Sequence, residues 1–592
     1  MSRATPYAAR PGTTRCGSAG DESSTVTTTS PDTALSRPAP PGASAAGRAR
    51  WTRVAGWAAP VVAFVLGVWG NTRPSAWTDE IVTIDVARRS WPELLDLLGR
   101  VDAVHGLHYT LMYLVGRANG GLNEFTARVP SAMAVATAVA GLVWLGRLLG
   151  GPRLGLCAGL LLAVLPTASR YAQEARSFAF VMAVAVLATG ALVKALAGRP
   201  GQADRPRKRW LAGYALLIAL LGWFNVMGLL LVAAHAVTVA LRRPGRRVTV
   251  RLLGAQAAGV AAVVPLLVLG SAQSSAVGEA APVTAGTPVN YFTWLLTPGQ
   301  DTLPTAPRLL LTLTALAALA LLAARRHAAP SPALAVGVPW LAVPPLLLMA
   351  VSFGHPLFAY RYLLFCLPAL ALLIATAASV VPPRRRLVLP LLAAVPLAAS
   401  HVAIRQEDSR QWDTRAVIRT LRIHDAPGDA VLFSGARCGL LATAFKEAFT
   451  NRPDLGRAET AAGLGALDNL PADPALLRER LDGTLRVWHI TCTHLSSGAR
   501  EAAARTTEAQ ERVLSEAGFS PALHHSARGV DITLEQRPGG SPSVRAVGAR
   551  RAPAPGDGWE PPDPPPGSHR SGARGHTTTL VGISQGNITG MI

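Results

Sequence analysis

Three carboxylates in one polar stretch of the chain could act as acids or bases. Asp79 and Glu80 are adjacent and directly follow the first long apolar run, and Asp102 lies later in the same stretch, close to His105 and His108. A carboxylate held beside a hydroxyl group can take up its proton as the oxygen attacks. Each residue also has a simpler interpretation, because loop carboxylates are commonly solvated charges and loop histidines commonly only form hydrogen bonds.

Three arginines lie at the ends of apolar runs, where they could bind a phosphate group. Arg128 begins the second run, Arg361 begins the tenth, and Arg176 ends the string Tyr171-Ala172-Gln173-Glu174-Ala175-Arg176. A guanidinium can donate two parallel N–H bonds to phosphate. The same arginines could instead bind lipid head groups at the membrane interface, and Glu174 could simply pair with a neighbouring arginine.

The composition indicates a polytopic membrane protein with polar parts attached. Of 592 residues, 50% are hydrophobic and only 16% are charged, against about 25% charged residues in soluble domains. The formal net charge of +22 does not indicate nucleic-acid binding, because the basic residues form short clusters between apolar runs. Such clusters fix the orientation of membrane proteins. Residues 1–50 and 538–592 are poor in apolar periodicity and predict disordered tails.

Eleven apolar runs are long enough to span a bilayer. The stretch 210–241 is too long for one span, so we expect two short spans that turn near Asn225 and Gly228. The predicted fold is mainly α, a membrane helix bundle of about 11 spans over residues 51–403 with a small extracytoplasmic α/β domain over 404–537. The runs lie near 54–70, 129–149, 154–169, 177–197, 210–225, 226–241, 252–270, 309–324, 333–353, 362–381 and 387–403.

The distribution of Lys and Arg predicts a plasma-membrane protein with a cytoplasmic N-terminus. This orientation places a first outer loop, 71–128, and everything after residue 404 outside the cell. Within the loop, Trp91–Arg100 and 105–118 have the pattern of amphipathic helices that lie on a membrane surface, with Leu94, Leu95, Leu97 and Leu98 on one face of the first.

The segment 404–537 has the alternating pattern of a small α/β unit. We expect helices at 412–422 and 499–517, and strands at Ala430–Ser434, 485–491 and 530–535. Cys438 and Cys492 both lie in this segment, and the sequence leaves open whether they form a disulfide outside the cell.

Carboxylates and arginines at one membrane face suit the transfer of a group from a lipid phosphate to a hydroxyl. The hydroxyl needs a base, and the departing phosphate needs cationic donors. Phosphate is already a good leaving group, so a strong general acid is less necessary than in a glycosidase. The sequence contains no Walker loop, GxGxxG or HExxH string and gives no support to nucleotide-driven or zinc-protease chemistry.

Four segments follow one another in a characteristic order. They are Trp77-Thr78-Asp79-Glu80, residues 102–109, Asn123-Glu124-Phe125-Thr126-Ala127-Arg128-Val129-Pro130-Ser131, and Tyr171-Ala172-Gln173-Glu174-Ala175-Arg176. Together with Arg361-Tyr362 and Gln411-Trp412, they make residues 54–537 resemble the bacterial GT-C membrane glycosyltransferases of the protein mannosyltransferase and aminoarabinose transferase superfamily.

The resemblance implies an inverting transfer from a polyprenyl-phosphate sugar, with mannose as the expected sugar, to a hydroxyl of a glycan, lipid or protein. It implies that Asp79 is the general base, that Glu80 supports it and that Asp102 is a second acidic position. It implies no cofactor, nucleotide sugar or tightly bound metal. The residues expected to bind substrate are Arg128, Tyr171, Glu174, Arg176, Arg361, His105 and His108.

The sequence departs from the family in one place and leaves other functions open. Many relatives have a His-Pro-Pro-Leu-type turn where this chain has Val104-His105-Gly106-Leu107-His108, which changes the backbone stiffness on the acceptor side. The alternative function is a transporter or lipid flippase, but the sequence shows neither an inverted repeat nor a charge in the middle of a span. A membrane-anchored binding protein would need far fewer spans.

Overall fold

A computed structural model describes residues 56–197, 208–273, 282–298, 305–324, 331–379, 381, 388–435, 437–493 and 497–538. The predicted tails, 1–50 and all but the first residue of 538–592, lie outside this part of the chain. The helices are α1 Gly56–Val68, α2 Thr78–Arg88, α3 Trp91–Arg100, α4 Gly106–Ala118, α5 Glu124–Val164, α6 Pro166–Ala172, α7 Phe178–Leu196, α8 Lys208–Phe224, α9 Leu230–Arg242, α10 Arg246–Ala261, α11 Val264–Ala272, α12 Thr287–Leu296, α13 Thr305–Ala324, α14 Pro332–Ser352, α15 Leu367–Ser379, α16 Val388–Ala403, α17 Thr414–Ile423, α18 Leu440–Ala444, α19 Lys446–Phe449, α20 Pro474–Arg480 and α21 Ser497–Glu516.

The described helices include five that are long and apolar enough to cross a membrane, or six if the bent pair α10 and α11 forms one span. Further apolar helices, including α1 and α9, are shorter. The chain is therefore a mainly helical membrane protein, whereas the number of 11 spans stays a prediction. The predicted turn between two short spans is confirmed, because α8 ends before Asn225 and a short 3-10 helix, Val226–Leu229, leads into α9. The Asn225 side chain caps that helix by accepting a hydrogen bond from the Met227 N–H.

Helix α5 contains the predicted span 129–149 and most of the predicted span 154–169, joined by a sharp break rather than by a loop. The backbone leaves helical geometry at Gly150 and Gly151, and Gly151 has a φ of 87°, which favours glycine. On either side of the break, a Cβ atom added to Gly146 would lie 2.6 Å from the Gly155 Cα. The two halves therefore pack backbone against backbone, as small residues allow in membrane helices.

The bundle has a continuous apolar core, to which α5, α7, α14 and α15 contribute. A separate series of hydrogen-bonded side chains connects α7, α8, α9 and α10. The Gln256 amide donates to the Tyr214 hydroxyl, which lies 2.9 Å from His235 Nδ1, and His235 Nε2 lies 3.0 Å from the Thr189 hydroxyl. Each of these four buried side chains thus has a hydrogen-bond partner on a neighbouring helix.

The segment 404–537, called the outer unit after its predicted side of the membrane, contains a four-stranded sheet with helices and a small hairpin. Its strands are β1 Ala430–Ser434, β2 Arg457–Glu459, β3 Leu470–Pro471, β4 Arg486–Cys492, β5 Ser520–Ala527 and β6 Val530–Gln536. The sheet order is β1-β4-β6-β5, in which β1 and β4 are parallel and the other pairs antiparallel, and β2 pairs with β3. The predicted strands β1, β4 and β6 and both predicted helices are present. A disulfide joins Cys438 to Cys492.

The first outer loop and the outer unit share one apolar core. Ile81 of α2, Leu97 of α3 and Trp412 and Trp488 of the outer unit are all buried in it. The Ser75 hydroxyl donates to the Asp413 carboxylate at 2.8 Å across 338 residues of sequence. In α3, Leu94 and Leu97 are buried but Leu95 is 51% exposed, so the predicted four-leucine face is narrower than expected.

Candidate functional site

Asp79 lies in the first turn of α2, two residues after the N-cap residue Trp77. A carboxylate in this position interacts favourably with the positive end of the helix dipole. Its side chain is 16% exposed, and Oδ2 lies 3.6 Å from Arg176 Nε. No hydrogen bond to this carboxylate is present among the residues that the structure describes. The oxygens of Asp79 are therefore available to a substrate proton.

Several positive charges surround Asp79. Burial raises the pKa of its carboxyl, but Arg176, Arg361 and Arg437 lower it by more, so that the pKa lies below the ordinary value of 3.8. Asp79 is consequently ionised at neutral pH and can act as a base. Arg437 belongs to the outer unit, which thus contributes charge to the same site.

Asp102 holds a small network that positions Arg176. Asp102 has a left-handed backbone with φ of 61°, which Asp tolerates better than most residues. Its carboxylate contacts His105 Nδ1 and accepts a bond from the Tyr109 hydroxyl, both at 2.6 Å. Arg176 Nη1 donates to the Tyr109 oxygen at 3.4 Å, and Nη2 lies 3.2 Å from His105 Nε2. Because arginine only donates, His105 Nε2 must accept and Nδ1 must carry the proton.

Glu80 is engaged in a buried ion pair. Its two carboxylate oxygens each accept a bond of 2.7 Å from Arg128, and Oε1 also accepts from the Ala175 N–H at 3.0 Å. Arg128 further donates to the backbone oxygens of Asn71 and Pro74. Both side chains are only 1% exposed. This pair fixes α2, the start of α5 and the 171–176 loop relative to one another.

Arg361 lies at the start of the 3-10 helix Tyr360–Cys366 and stacks on aromatic rings. Its guanidinium carbon is 5.7 Å from the Trp77 ring centroid and 5.6 Å from that of Tyr362. Within the described parts of the chain, Arg361 Nε, Arg176 Nε and Trp77 Nε1 are buried without a hydrogen-bond partner. Buried donors of this kind commonly have an additional ligand or water as partner. Arg176 Nε lies 3.6 Å from Asp79 Oδ2, and the charge of Arg361 lowers the pKa of the same carboxyl. These arginines are thus close enough to Asp79 to offer N–H groups to an anion beside it.

Glu174 and Tyr171 belong to the same 171–176 string as Arg176. Glu174 is 1% exposed, and its Oε1 has no hydrogen-bond partner among the described residues. Burial raises the pKa of Glu174 to about 7, Arg170 opposes this shift, and the negative charges of Glu80 and Asp79 add to it. Tyr171 packs edge-on against Trp294, with ring centroids 5.7 Å apart.

His108 faces the protein interior. It is fully buried, and its Nε2 lies 3.2 Å from the Ala175 carbonyl oxygen. Burial, together with the charge of Arg176, lowers the pKa of His108 to about 3. The side chain therefore stays neutral, which favours a role in fixing the loop over one in binding an anion.

The sequence did not single out two further arginines near the site. Arg410 is 1% exposed, and its Nη2 donates to the Gln173 carbonyl oxygen at 3.2 Å. Its Nε and Nη1 are buried without a partner in the described residues. Arg437 approaches Asp79 only because the outer unit folds onto the first outer loop, and no local sequence pattern signals that approach. Among the described residues, no group of three or more His, Cys, Asp or Glu side chains could hold a metal ion.

Comparison with known proteins rests on structure. No protein-family model matches the sequence, and neither does any curated protein. The apo structure of ArnT from Cupriavidus metallidurans matches with a TM-score of 0.51 and 14% identity, over 83% of this chain and 98% of that one. The chain therefore shares its fold with ArnT, which is a GT-C enzyme.

Two related structures give lower scores for the same fold. ArnT bound to undecaprenyl phosphate matches with a TM-score of 0.49 and 14% identity, over 83% of this chain and 98% of that one. The Archaeoglobus fulgidus oligosaccharyltransferase AglB, in complex with an inhibitory peptide and a dolichol-phosphate, matches with a TM-score of 0.44 and 12% identity, over 84% and 75%.

Proposed function

We propose that this GT-C protein is a glycosyltransferase that moves a sugar from a polyprenyl-phosphate donor to an acceptor hydroxyl. The observation that carries the proposal is the different surroundings of the three predicted carboxylates. Glu80 is paired with Arg128, Asp102 is bonded to His105 and Tyr109, and Asp79 remains open beside Arg176 and Arg361. This arrangement provides one available base next to cationic donors.

In the proposed reaction the donor phosphate lies against Arg176 and Arg361. The acceptor oxygen forms a bond to the anomeric carbon as the bond from that carbon to the phosphate oxygen breaks. The electron pair stays on the phosphate, where the arginines stabilise it, and the acceptor proton passes to Asp79. A single displacement of this kind inverts the anomeric configuration.

The arginines also affect the strength of the base. They lower the pKa of Asp79 while the phosphate is absent. A bound phosphate adds negative charge beside the same guanidinium groups and so offsets their effect on Asp79. Asp79 would therefore become the stronger base only after the donor has bound, which favours transfer over unproductive reactions.

The proposed donor and acceptor are argued from the ligands of solved structures and from the sequence. ArnT and AglB have been seen with undecaprenyl phosphate and dolichol-phosphate, respectively, which favours a polyprenyl phosphate here. The sugar, expected to be mannose, and the acceptor, a glycan, lipid or protein hydroxyl, remain predictions. The disulfide in the outer unit agrees with an extracytoplasmic location for that unit, and thus with transfer at the outer membrane face.

The decisive experiment is transfer of radiolabelled sugar by the full-length protein in proteoliposomes. Several undecaprenyl-phosphate sugars serve as donors and membrane-fraction material as acceptor. We expect Asp79→Asn to reduce the rate about 10²–10⁴-fold, the usual contribution of a general base. Asp96→Asn is the matched control, because Asp96 is an acid of the same loop that is 43% exposed and paired with Arg100.

Equal rates for the wild type and Asp79→Asn would eliminate Asp79 as the base. If neither protein transfers sugar from any donor, while labelled lipid moves across the bilayer, the flippase alternative is favoured.

A further inference from the structure

The outer unit contains a cavity of about 260 Å³ beside the carboxyl end of β1. In parallel sheets, chain segments diverge where neighbouring strands end, and the resulting crevice is a common ligand site. β1 and β4 form such a parallel pair. The residues on which the argument depends are Arg437, Asp454, Arg457, Asp468, Asn469 and Leu470.

The polar groups of this cavity are balanced in charge. Arg437 Nε lies 3.4 Å from Asp468, and Arg457 Nε lies 3.8 Å from Asp454. Burial raises the pKa of Asp454 to about 6, and the charge of Arg457 opposes that shift. The cavity thus offers hydrogen-bond donors and acceptors without a strong preference for either sign of ligand charge.

Asn469 provides a donor that the described residues leave unused. Its Oδ1 accepts a bond from the Ala461 N–H at 2.8 Å, which fixes the orientation of the amide. Its Nδ2 is buried without a partner in the described part of the chain. A Cβ atom on Gly439 would lie 2.8 Å from Nδ2, so the glycine keeps the space beside the amide open.

We propose that this cavity binds a sugar unit of the acceptor, and hence that the acceptor is a glycan or glycolipid. The inference rests on the proposed glycosyltransferase function and specifies its acceptor. Fixed Asp, Asn and Arg groups match the many hydroxyls of a sugar, and Leu470 supplies an apolar surface for its C–H groups. Typical small-molecule pockets measure roughly 300–1,000 Å³, so a cavity of about 260 Å³ suits a single ring.

Two other ligand classes fit less well. A phosphate or carboxylate would compete with Asp468 and Asp454 for the arginines. An extended peptide would need a free strand edge, but segment 453–455 already covers the outer edge of β1. The Val431 N–H donates to the Pro453 oxygen at 2.9 Å, and the Leu455 N–H donates to the Val431 oxygen at 2.9 Å.

Arg437 connects the cavity to the catalytic site. Its guanidinium pairs with Asp468 in the cavity and also lowers the pKa of Asp79. We therefore expect an adjoining unit of the same acceptor to extend from the cavity toward Asp79. The cavity would determine which glycan is extended, and Asp79 would act on its hydroxyl.

The first test measures binding without transfer. The full-length Asp79→Asn protein in nanodiscs is examined by saturation-transfer NMR with α-mannotriose, α-arabinotriose and maltotriose. Asn469→Asp keeps the oxygen that Ala461 binds but removes the donor, and Arg457→Gln is a second, independent variant. Arg478→Gln is the control, because Arg478 forms a half-exposed pair with Glu516 outside the cavity.

We expect at least one trisaccharide to give a signal that both cavity variants abolish and Arg478→Gln preserves. No signal from any of the three sugars would overturn the proposal, as would a signal that neither variant changes. Displacement of the sugar by inorganic phosphate, or by a Ser/Thr-rich peptide, would assign the cavity to another ligand class and overturn it as well.

The second test separates this proposal from the proposed catalytic function. With Asp79 intact, the cavity variants should raise the acceptor KM about tenfold, equivalent to ~1.4 kcal/mol. They should leave kcat and the donor KM within about twofold of the wild type. Normal transfer with unchanged acceptor KM would refute the cavity while preserving the enzyme. Sugar binding at the cavity without any sugar transfer would refute the proposed enzyme activity while preserving the cavity as a sugar site.

Discussion

Asp79 and Glu80 are neighbours in sequence but have different surroundings. Successive residues of an α-helix point about 100° apart, so one carboxylate faces Arg176 and the other faces Arg128. The sequence could predict that this pair was important. It could not predict which carboxylate remained free, because the partner of Glu80 lies 48 residues away. The network that connects Asp102 to Arg176 could not be predicted either, because Arg176 contacts Tyr109 and His105 across 67 and 71 residues of sequence.

Glu174 should make donor binding depend on pH near neutrality. Its pKa is raised to about 7, so the carboxyl is largely protonated below this pH and ionised above it. The ionised form adds a negative charge behind the arginines that would hold the phosphate. We expect the donor KM to rise on the order of tenfold between about pH 6 and 8, as measured by initial transfer rates.

Glu174→Gln should remove this dependence, because an amide does not titrate. Glu93→Gln, a change at the acid that caps α3 by accepting hydrogen bonds from Ser90, should behave like the wild type. An equally steep rise in donor KM for Glu174→Gln would show that another group is responsible.

At the scale of elements, the pair formed by Glu80 and Arg128 joins α2 to α5. Removal of one partner from a buried pair leaves an uncompensated charge and typically costs about 3–5 kcal/mol. Arg128→Met should therefore strongly lower the thermal unfolding temperature in detergent. The double variant Glu80→Gln/Arg128→Met should recover part of the loss, whereas Asp79→Asn should unfold near the wild-type temperature. No recovery in the double variant would mean that Arg128 acts through its backbone contacts alone.

The two halves of α5 depend on glycine at their contact. A Cβ atom on Gly155 would lie 2.3 Å from the Val143 carbonyl oxygen, so Gly155→Leu must separate the halves. We expect a loss of at least about 1–3 kcal/mol, the usual cost of overpacking, in thermal unfolding of the purified protein. Gly254→Leu is the matched control, since a Cβ atom there meets nothing within 4 Å. Similar losses for both variants would contradict a tight contact.

Secondary structure was predictable where a periodic apolar pattern was strong. β1, β4 and β6 contain buried apolar side chains, and their predicted positions are confirmed. β5 was missed because its side chains are mostly exposed and half of them are polar, as expected for an edge strand. The break in α5 was placed correctly between two runs, but its sharpness depends on the backbone at Gly150 and Gly151.

At the scale of the whole molecule, the disulfide constrains the outer unit. Cys438 and Cys492 are separated by 54 residues, and cross-links of such spacing stabilise folded proteins by about 2–4 kcal/mol. The variant Cys438→Ser/Cys492→Ser should lose this stability in thermal unfolding and become insensitive to reductant. Cys157→Ser changes a free cysteine and is the control. Unchanged unfolding of the double variant would show that the apolar core alone holds the unit.

The packing between segments far apart in sequence could not be predicted from local sequence patterns. Membrane helices and an α/β unit could each be predicted from periodicity. Their shared core could not, because contacts such as that between Ser75 and Asp413 connect residues 338 positions apart.

That shared core has a consequence for biosynthesis. The segment with Asp79 emerges from the ribosome early, but the residues that complete its packing are translated 338 positions later in the case of Asp413. At roughly 5–20 residues per second, the loop would wait on the order of tens of seconds for its partner. A nascent or truncated chain that ends before the outer unit would thus lack the packing that holds the loop with Asp79 in place.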